Sequence, residues 1–208
     1  MLMKQTIKTV ALLIIISGSL NVDLPAQPKS KSMDRITLGG GCFWCTEAIF
    51  NELNGVISVI SGYSGGDIVN PSYKEICTGR TGHAEVVEVE FDPAIISFAD
   101  LLEVFFATHD PTTLNRQGAD VGTQYRSVIF YHNQNQKEIA ESVIDGLNRE
   151  NIYGKPVVTE LSPWKNFFRA ENDHQNYFSN NPNQAYCRFV IIPKVEKFRK
   201  IFREKLKP

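Results

Sequence analysis

Arg35-Ile36-Thr37-Leu38 runs into Gly39-Gly40-Gly41 and then into Cys42-Phe43-Trp44-Cys45-Thr46-Glu47-Ala48-Ile49-Phe50-Asn51-Glu52-Leu53, ahead of Gly55. The first four residues make a short strand. The glycines make a tight turn, and from Cys42 onward the apolar side chains recur at helical spacing until Gly55 ends the run. Strand, glycine turn and helix therefore follow one another, with Cys42 at the start of the helix. Free backbone N–H groups and the positive end of the helix dipole favour a thiolate there, and the thiolate is the nucleophilic form of cysteine.

Working outward, residues 56–61 read as a strand and residues 62–73 as a glycine-rich loop. Glu85 to Phe91 (EVVEVEF) alternates as a half-buried strand does. Residues 97–107 read as a helix, with Ser97 as N-cap and Asp100 in the first turn, where negative charge suits the dipole. A long helix around residues 134–149 and short apolar segments at 128–131, 157–161 and 189–192 complete the order. Strands and helices interleave without strict alternation. This pattern favours an α+β two-layer sandwich, with a mixed sheet and packed helices, over a doubly wound sheet.

Composition agrees with one folded domain over residues 33–208. The chain has 208 residues, 42% of them hydrophobic, and 13 Phe, enough bulky apolar surface for a core without metal or disulfide staples. The balance of 22 basic against 23 acidic side chains argues against nucleic acid as partner, since phosphate binding needs a clustered basic excess. Residues 1–26 have the layout of a signal peptide or N-terminal anchor: Lys4 and Lys8, then the short apolar run of residues 10–16 (VALLIII), then Ser17-Gly18-Ser19. Residues 27–32 form a linker. Export to a periplasm, or tethering to a membrane through the leader, is the expectation, with a cytoplasmic location as the alternative. Residues 194–207 (KVEKFRKIFREKLK) place Val195, Phe198, Ile201, Phe202 and Leu206 at helical spacing and read as a helix docked by one face. A membrane-surface helix is the rival reading. No heptad or symmetric pattern points beyond a monomer.

Four cysteines, Cys42, Cys45, Cys77 and Cys187, admit three pairings as two disulfides. Cys42-Phe43-Trp44-Cys45 is also a C-x-x-C sequence. A zinc site would need a second matched pair, which the sequence lacks. A thioredoxin-like redox pair would likewise open a helix, but the bulky Phe43-Trp44 insert weakens it. Gly62-Tyr63-Ser64-Gly65-Gly66 satisfies G-x-S-x-G, yet Asp67 to Pro71 breaks the helix that a nucleophile elbow requires. A general thiol-disulfide oxidoreductase using Cys42 and Cys45 remains open on these grounds. So does a secreted binding module with two structural disulfides, in which Phe43 and Trp44 are core residues.

Gly41-Cys42-Phe43-Trp44-Cys45-Thr46-Glu47 resembles the helix start of peptide methionine sulfoxide reductases of the A type. So do Gly62 to Gly66, Tyr73, Thr81-Gly82-His83-Ala84-Glu85, His109-Asp110-Pro111-Thr112, Asp120 to Ser127 and Asp173-His174-Gln175, in the family order. The resemblance spans residues 35–193 and implies a ferredoxin-like or α-β roll fold. It implies reduction of methionine S-sulfoxide, free or in proteins, with repair of oxidised proteins as the outcome. It implies Cys42 as the nucleophile and Glu85 as the acid. Tyr73 and Tyr125 become phenolic donors to the departing oxygen, and Asp120 organises the site. Phe43 and Trp44 form the apolar pocket for the S-methyl group. Taken singly, Glu85 reads as a solvent-facing strand carboxylate, Tyr73 and Tyr125 as packing residues, and Asp120 as a turn or cap residue. His83 and His109 read as structural hydrogen-bonding residues.

Oxygen transfer to Cys42 would leave a sulfenic acid, which condenses with a nearby thiol. The resemblance implies Cys187, in Tyr186-Cys187 ahead of Pro193-Lys194, as the resolving cysteine. Cys45 stands where many family members have Gly. It is one helical turn from Cys42, and direct resolution, relay of a disulfide to Cys187 and simple packing all remain open for it. Cys77 is expected to be a buried thiol without catalytic duty. Turnover then implies a thioredoxin-like dithiol reductant and needs no bound cofactor.

Overall fold

In the computed structural model residues 33–208 are described, and the leader and linker expected over residues 1–26 and 27–32 lie outside them. The elements run β1 (Asp34–Gly40), α1 (Phe43–Phe50), β2 (Val56–Ser64), α2 (Tyr73–Ile76), β3 (Ala84–Phe91) and α3 (Phe98–Thr108). They continue with β4 (Arg116–Gln117), β5 (Asp120–Val121), β6 (Ser127–Tyr131), α4 (Gln134–Arg149), β7 (Glu160–Pro163), β8 (Phe168–Arg169), α5 (Tyr177–Asn180) and α6 (Ile192–Ile201). Six strands form one mixed sheet in the order β7-β6-β1-β3-β2-β8, and β4 and β5 form a separate two-stranded ribbon. Only β6 and β7 run parallel within the large sheet, and α4 makes the crossover such a pair requires.

β3 explains how the sheet is used. Its odd-numbered residues Glu85, Val87, Val89 and Phe91 lie on one face by the period of two, and all are buried. On β1, Ile36 and Leu38 join the same core, as do Val59 and Tyr63 of β2. Phe43, Ile49 and Phe50 of α1, Leu101, Leu102, Val104, Phe105 and Phe106 of α3, Ala140 of α4 and Val195 and Phe198 of α6 pack onto it. The opposite face carries a small patch of Ala84, Val86, Val128 and Phe130 covered by Phe167. The expected two-layer α+β sandwich is thus observed, with the site-bearing helix α1 on the helical side.

Capping sets several helix starts. Ser97 and Asp100 form a capping box at α3, Ser72 and Glu75 do so at α2, and Asn133 accepts from the Gln136 N–H at α4. The C-terminal segment departs from its expected length. Residues 187–191 form a π-helical turn that leads into α6, which ends at Ile201, and Ile201 is exposed rather than docked. The chain leaves the helix because its last residues pair elsewhere: Asn54 N–H donates to the Lys205 carbonyl and Lys207 N–H to that of Glu52, both at 2.8 Å. Likewise β2 runs on to Ser64, so the expected loop begins later, and no helix follows that serine before α2. Among the described residues no helix is long and apolar enough to cross a membrane.

Candidate active site

Cys42 is the N-cap of α1, with φ −59° and ψ 122°, and is 8% exposed. Gly41 before it has φ +95°, and a Cβ there would stand 2.5 Å from Gln117 Cγ, so only glycine admits this turn from strand to helix. The turn makes Cys42 the N-cap of α1, its side chain making no capping hydrogen bond. The neighbouring Phe43 N–H donates to Glu85 Oε2 at 3.2 Å.

Glu85 is 1% exposed, and its Oε1 is buried with no hydrogen-bond partner. Burial pushes its carboxyl up to about 8 against the lowering effect of the Phe43 N–H, and the charges of Asp120 and Cys45 add to the rise. At neutral pH it is therefore a neutral acid with a proton to give. Directly across the sheet from it stands Tyr63, whose hydroxyl donates to Glu171 Oε2 at 2.8 Å. Glu171 Oε1 accepts from the Tyr73 N–H at 2.8 Å, which fixes the start of α2. Tyr73 and Tyr125, the latter on the 3-10 turn Thr123–Tyr125, both have phenols held protonated, first by burial and next by the charge of Glu85. Both sequence-predicted phenols therefore share the surroundings of the acid.

An aromatic wall surrounds these groups. Phe43 lies against Tyr63, Tyr73 and His174, with ring centroids 5.9, 6.4 and 5.4 Å away. Trp44 stacks on Tyr177 at 3.6 Å and 7° and meets Tyr186 edge-on at 5.8 Å. The loop that brings His174 and Tyr177 is clamped by the buried Glu47 of α1, which accepts the backbone N–H of Asn176 at 2.9 Å and of Tyr177 at 3.3 Å. Gln175 completes the clamp through both backbone groups of Ser61.

All four cysteines are free thiols. Cys42 and Cys45 are hydrogen-bonded to each other, and the Tyr186 hydroxyl is in hydrogen-bond contact with both sulfurs while donating to Asp120 Oδ2 at 2.8 Å. Burial pushes the Cys42 thiol well up. The hydrogen bond from Cys42 carries Cys45 down to about 7 despite its burial, with Lys194 and Tyr186 adding to the lowering. The pair thus shares a proton: one leaves readily and the second hardly at all. Cys187 is fully buried, and after burial the charge of Cys45 is what raises its thiol. Cys45 therefore interacts with both the nucleophile candidate and Cys187.

A family model described as peptide methionine sulfoxide reductase matches residues 34–206. The chain belongs to that family. It is an oxidoreductase, a peptide-methionine (S)-S-oxide reductase. Among curated relatives named peptide methionine sulfoxide reductase MsrA, that of Saccharolobus solfataricus is 56% identical over 175 residues, covering 84% of this chain and 98% of its own. That of Haloquadratum walsbyi is 58% identical over 170 residues, 82% of this chain and 97% of its own. Methionine sulfoxide reductase A of Corynebacterium diphtheriae superposes with a TM-score of 0.70 at 37% identity, covering 77% of this chain and 79% of that one. Reduced Mxr1 of Saccharomyces cerevisiae gives 0.68 at 35%, covering 74% and 89%.

In this reductase Cys42, Phe43, Trp44, Tyr73, Glu85, Asp120 and Tyr125 converge on one place, with Cys45 and Cys187 behind it. Glu85 corrects the solvent-facing alternative, because it shares the apolar face of β3. Cys77 corrects the expectation of burial: α2 buries Ile76 and turns Cys77 outward, where it touches the Tyr73 hydroxyl. The His residues are structural, as expected. His109 Nδ1 donates to the Phe105 carbonyl at 2.6 Å and its Nε2 accepts from Ser127, and burial holds the ring neutral with its affinity lowered to about 4. His83 Nδ1 accepts from the Gly66 N–H, and its Nε2 donates to the Ile68 carbonyl. Glu47, Tyr63 and Tyr186, quoted in the sequence only as members of motifs, and Tyr177, not marked there at all, also contribute to the site, Tyr63 from its register opposite Glu85. Among the described residues no group of three or more His, Cys, Asp or Glu is placed to hold a metal ion.

Proposed function

We propose that the reductase works through Cys42 as nucleophile, a sulfenic acid and an intramolecular disulfide. The observation that carries this reading is the protonated, buried Glu85 with an unpartnered Oε1 beside Cys42. Proton transfer from Cys42 to Cys45 along their hydrogen bond leaves the negative charge on the sulfur at the helix start. That thiolate attacks the sulfoxide sulfur. Glu85 donates its proton to the oxygen, Tyr73 and Tyr125 hold that oxygen by their neutral hydroxyls, and Phe43 and Trp44 receive the S-methyl group. The protonated oxygen passes to the Cys42 sulfur as the methionine S–O bond and the bond between the two sulfurs break, methionine leaves with its sulfur reduced, and Cys42 carries the oxygen as sulfenic acid. A second thiol then attacks Cys42, an S–S bond forms, the S–O bond breaks, and the oxygen departs as water. The contact between Cys42 and Cys45, with Cys187 within the electrostatic reach of Cys45, favours Cys45 as first partner and Cys187 as the next. Asp120 orders the site through Tyr186. A thioredoxin-like dithiol returns the disulfide to thiols, and no bound cofactor takes part. The working unit is a monomer that repairs oxidised proteins, exported under the direction of residues 1–26; N-terminal sequencing of mature protein from a cell envelope fraction tests the export.

The test of the chemistry is trapping. A Cys45→Ser, Cys187→Ser double variant, given one equivalent of methionine S-sulfoxide and then dimedone, is expected to carry the adduct on Cys42. Substrate turnover with an unlabelled Cys42 would overturn the sulfenic acid step.

A further inference from the structure

α6 brings a cation to the back of the thiol pair. Lys194 is half-buried and makes no hydrogen bond or ion pair among the described residues. It lines a void of about 10 Å³ together with Gly40, Cys45, Thr46, Phe105 and His109. The same lysine, with Thr108 and His109, also lines a surface cleft of about 300 Å³ that includes Asp110, Gln117 and Lys197. Lys194 thus stands between bulk solvent and Cys45, on the side of α1 where α3 and α6 pack.

The groups that face Cys45 are few. Cys42 lies on the same helix start and shares its proton. Tyr186 and Cys187 come from the C-terminal segment, Asp120 from β5, Glu85 from β3 and His109 from the end of α3. Asp120 opposes charge on Cys45, and Glu85 and His109 are neutral at pH 7. Lys194 is the one full positive charge among them.

We propose that Lys194 is a positioning residue for the reductase, acting through Cys45: its ammonium stabilises negative charge on the Cys42–Cys45 pair and so sets the pH at which the pair becomes reactive. This rests on the reading of Cys42 and Cys45 as the working pair. Lys194 forms no ion pair among the described residues, so its field reaches the buried thiol weakened only by solvent and by Asp110, which shares its cleft with Lys197. Lys194 touches neither substrate nor the reacting oxygen.

The experiment is alkylation by iodoacetamide as a function of pH on the full chain, reduced and freed of dithiol, with the Cys42–Cys45 peptide quantified by mass spectrometry. In Lys194→Met and Lys194→Gln the midpoint is expected to rise by about half a pH unit, as for one charge several ångströms away under partial screening. At pH 6.5 this is a roughly threefold slower alkylation, which disappears at pH 9. Lys194→Arg is expected to keep the wild-type midpoint. Midpoints equal to wild type in both neutral variants, or a slowing that is the same at every pH, would overturn the proposal. Absence of sulfoxide turnover in the wild type would instead overturn the activity, and the alkylation curves would still report on Lys194.

Discussion

Replacing Glu85 by Gln should change activity and stability in opposite directions. Gln keeps the shape and an oxygen for the Phe43 N–H, but has no proton to give. Loss of a general acid typically costs about 10² to 10⁴-fold, so kcat should fall by that factor at pH 7. The wild-type carboxyl, raised to about 8, holds its proton in the folded state, whereas the unfolded chain releases it near 4.5. Between these values the unfolded state binds fewer protons than the folded one, so rising pH destabilises the wild type, and the effect is complete above about 8. At 1.36 kcal/mol for each tenfold change in proton affinity, the loss is between about 2 and 5 kcal/mol once relaxation is allowed for. Glu85→Gln is free of it. The variant should match the wild type in stability at pH 4.5 and exceed it by that amount at pH 8.5, as read by urea unfolding at both pH values. In the wild type kcat/KM should rise as the thiol pair ionises near 7 and fall as Glu85 ionises near 8. A variant within threefold of wild-type activity, or with no stability gain at pH 8.5, would refute the reasoning.

Glu47→Ala leaves the N–H groups of Asn176 and Tyr177 without their acceptor, and should cost about 2 to 4 kcal/mol in chemical unfolding and raise KM as Tyr177 loosens from Trp44. Gly41→Ala forces a Cβ at φ +95° against Gln117, and should cost at least about 1 to 2 kcal/mol while kcat falls ~100-fold through displacement of Cys42, measured in a single-turnover assay. Cys187→Ser should still release one equivalent of methionine and form a Cys42–Cys45 disulfide visible by peptide mapping. Ser97→Ala removes the α3 cap and should lower stability by about 1 kcal/mol without changing kcat.

The elements nearest the site were legible because local chemistry marks them. Three glycines punctuate β1 and α1, a capping box opens α3, and the helix over residues 134–149 has the boundaries its periodicity gives. Elements whose form depends on distant partners were less so: the end of α6 yields to backbone pairing with residues 52–54, and α2 is too short for periodicity to orient Cys77. The site follows the same division. Cys42 is placed by its turn, and Glu85 by the alternation of β3, which read by face puts it with Val87, Val89 and Phe91. Glu47, Tyr177, Tyr186 and Lys194 act through contacts made across long stretches of chain, for which spacing carries no signal. The residues that the resemblance singled out lie together around Cys42 and Glu85, and the packing gives each the surroundings that its proposed role needs.

The most direct test of the account is dithiol-driven turnover of the separated S and R epimers of methionine sulfoxide by wild type and Cys42→Ser. The wild type is expected to reduce the S epimer alone, and a Cys42→Ser variant that keeps the wild-type circular dichroism to reduce neither. Equal turnover of both epimers, or activity surviving in Cys42→Ser, would contradict it.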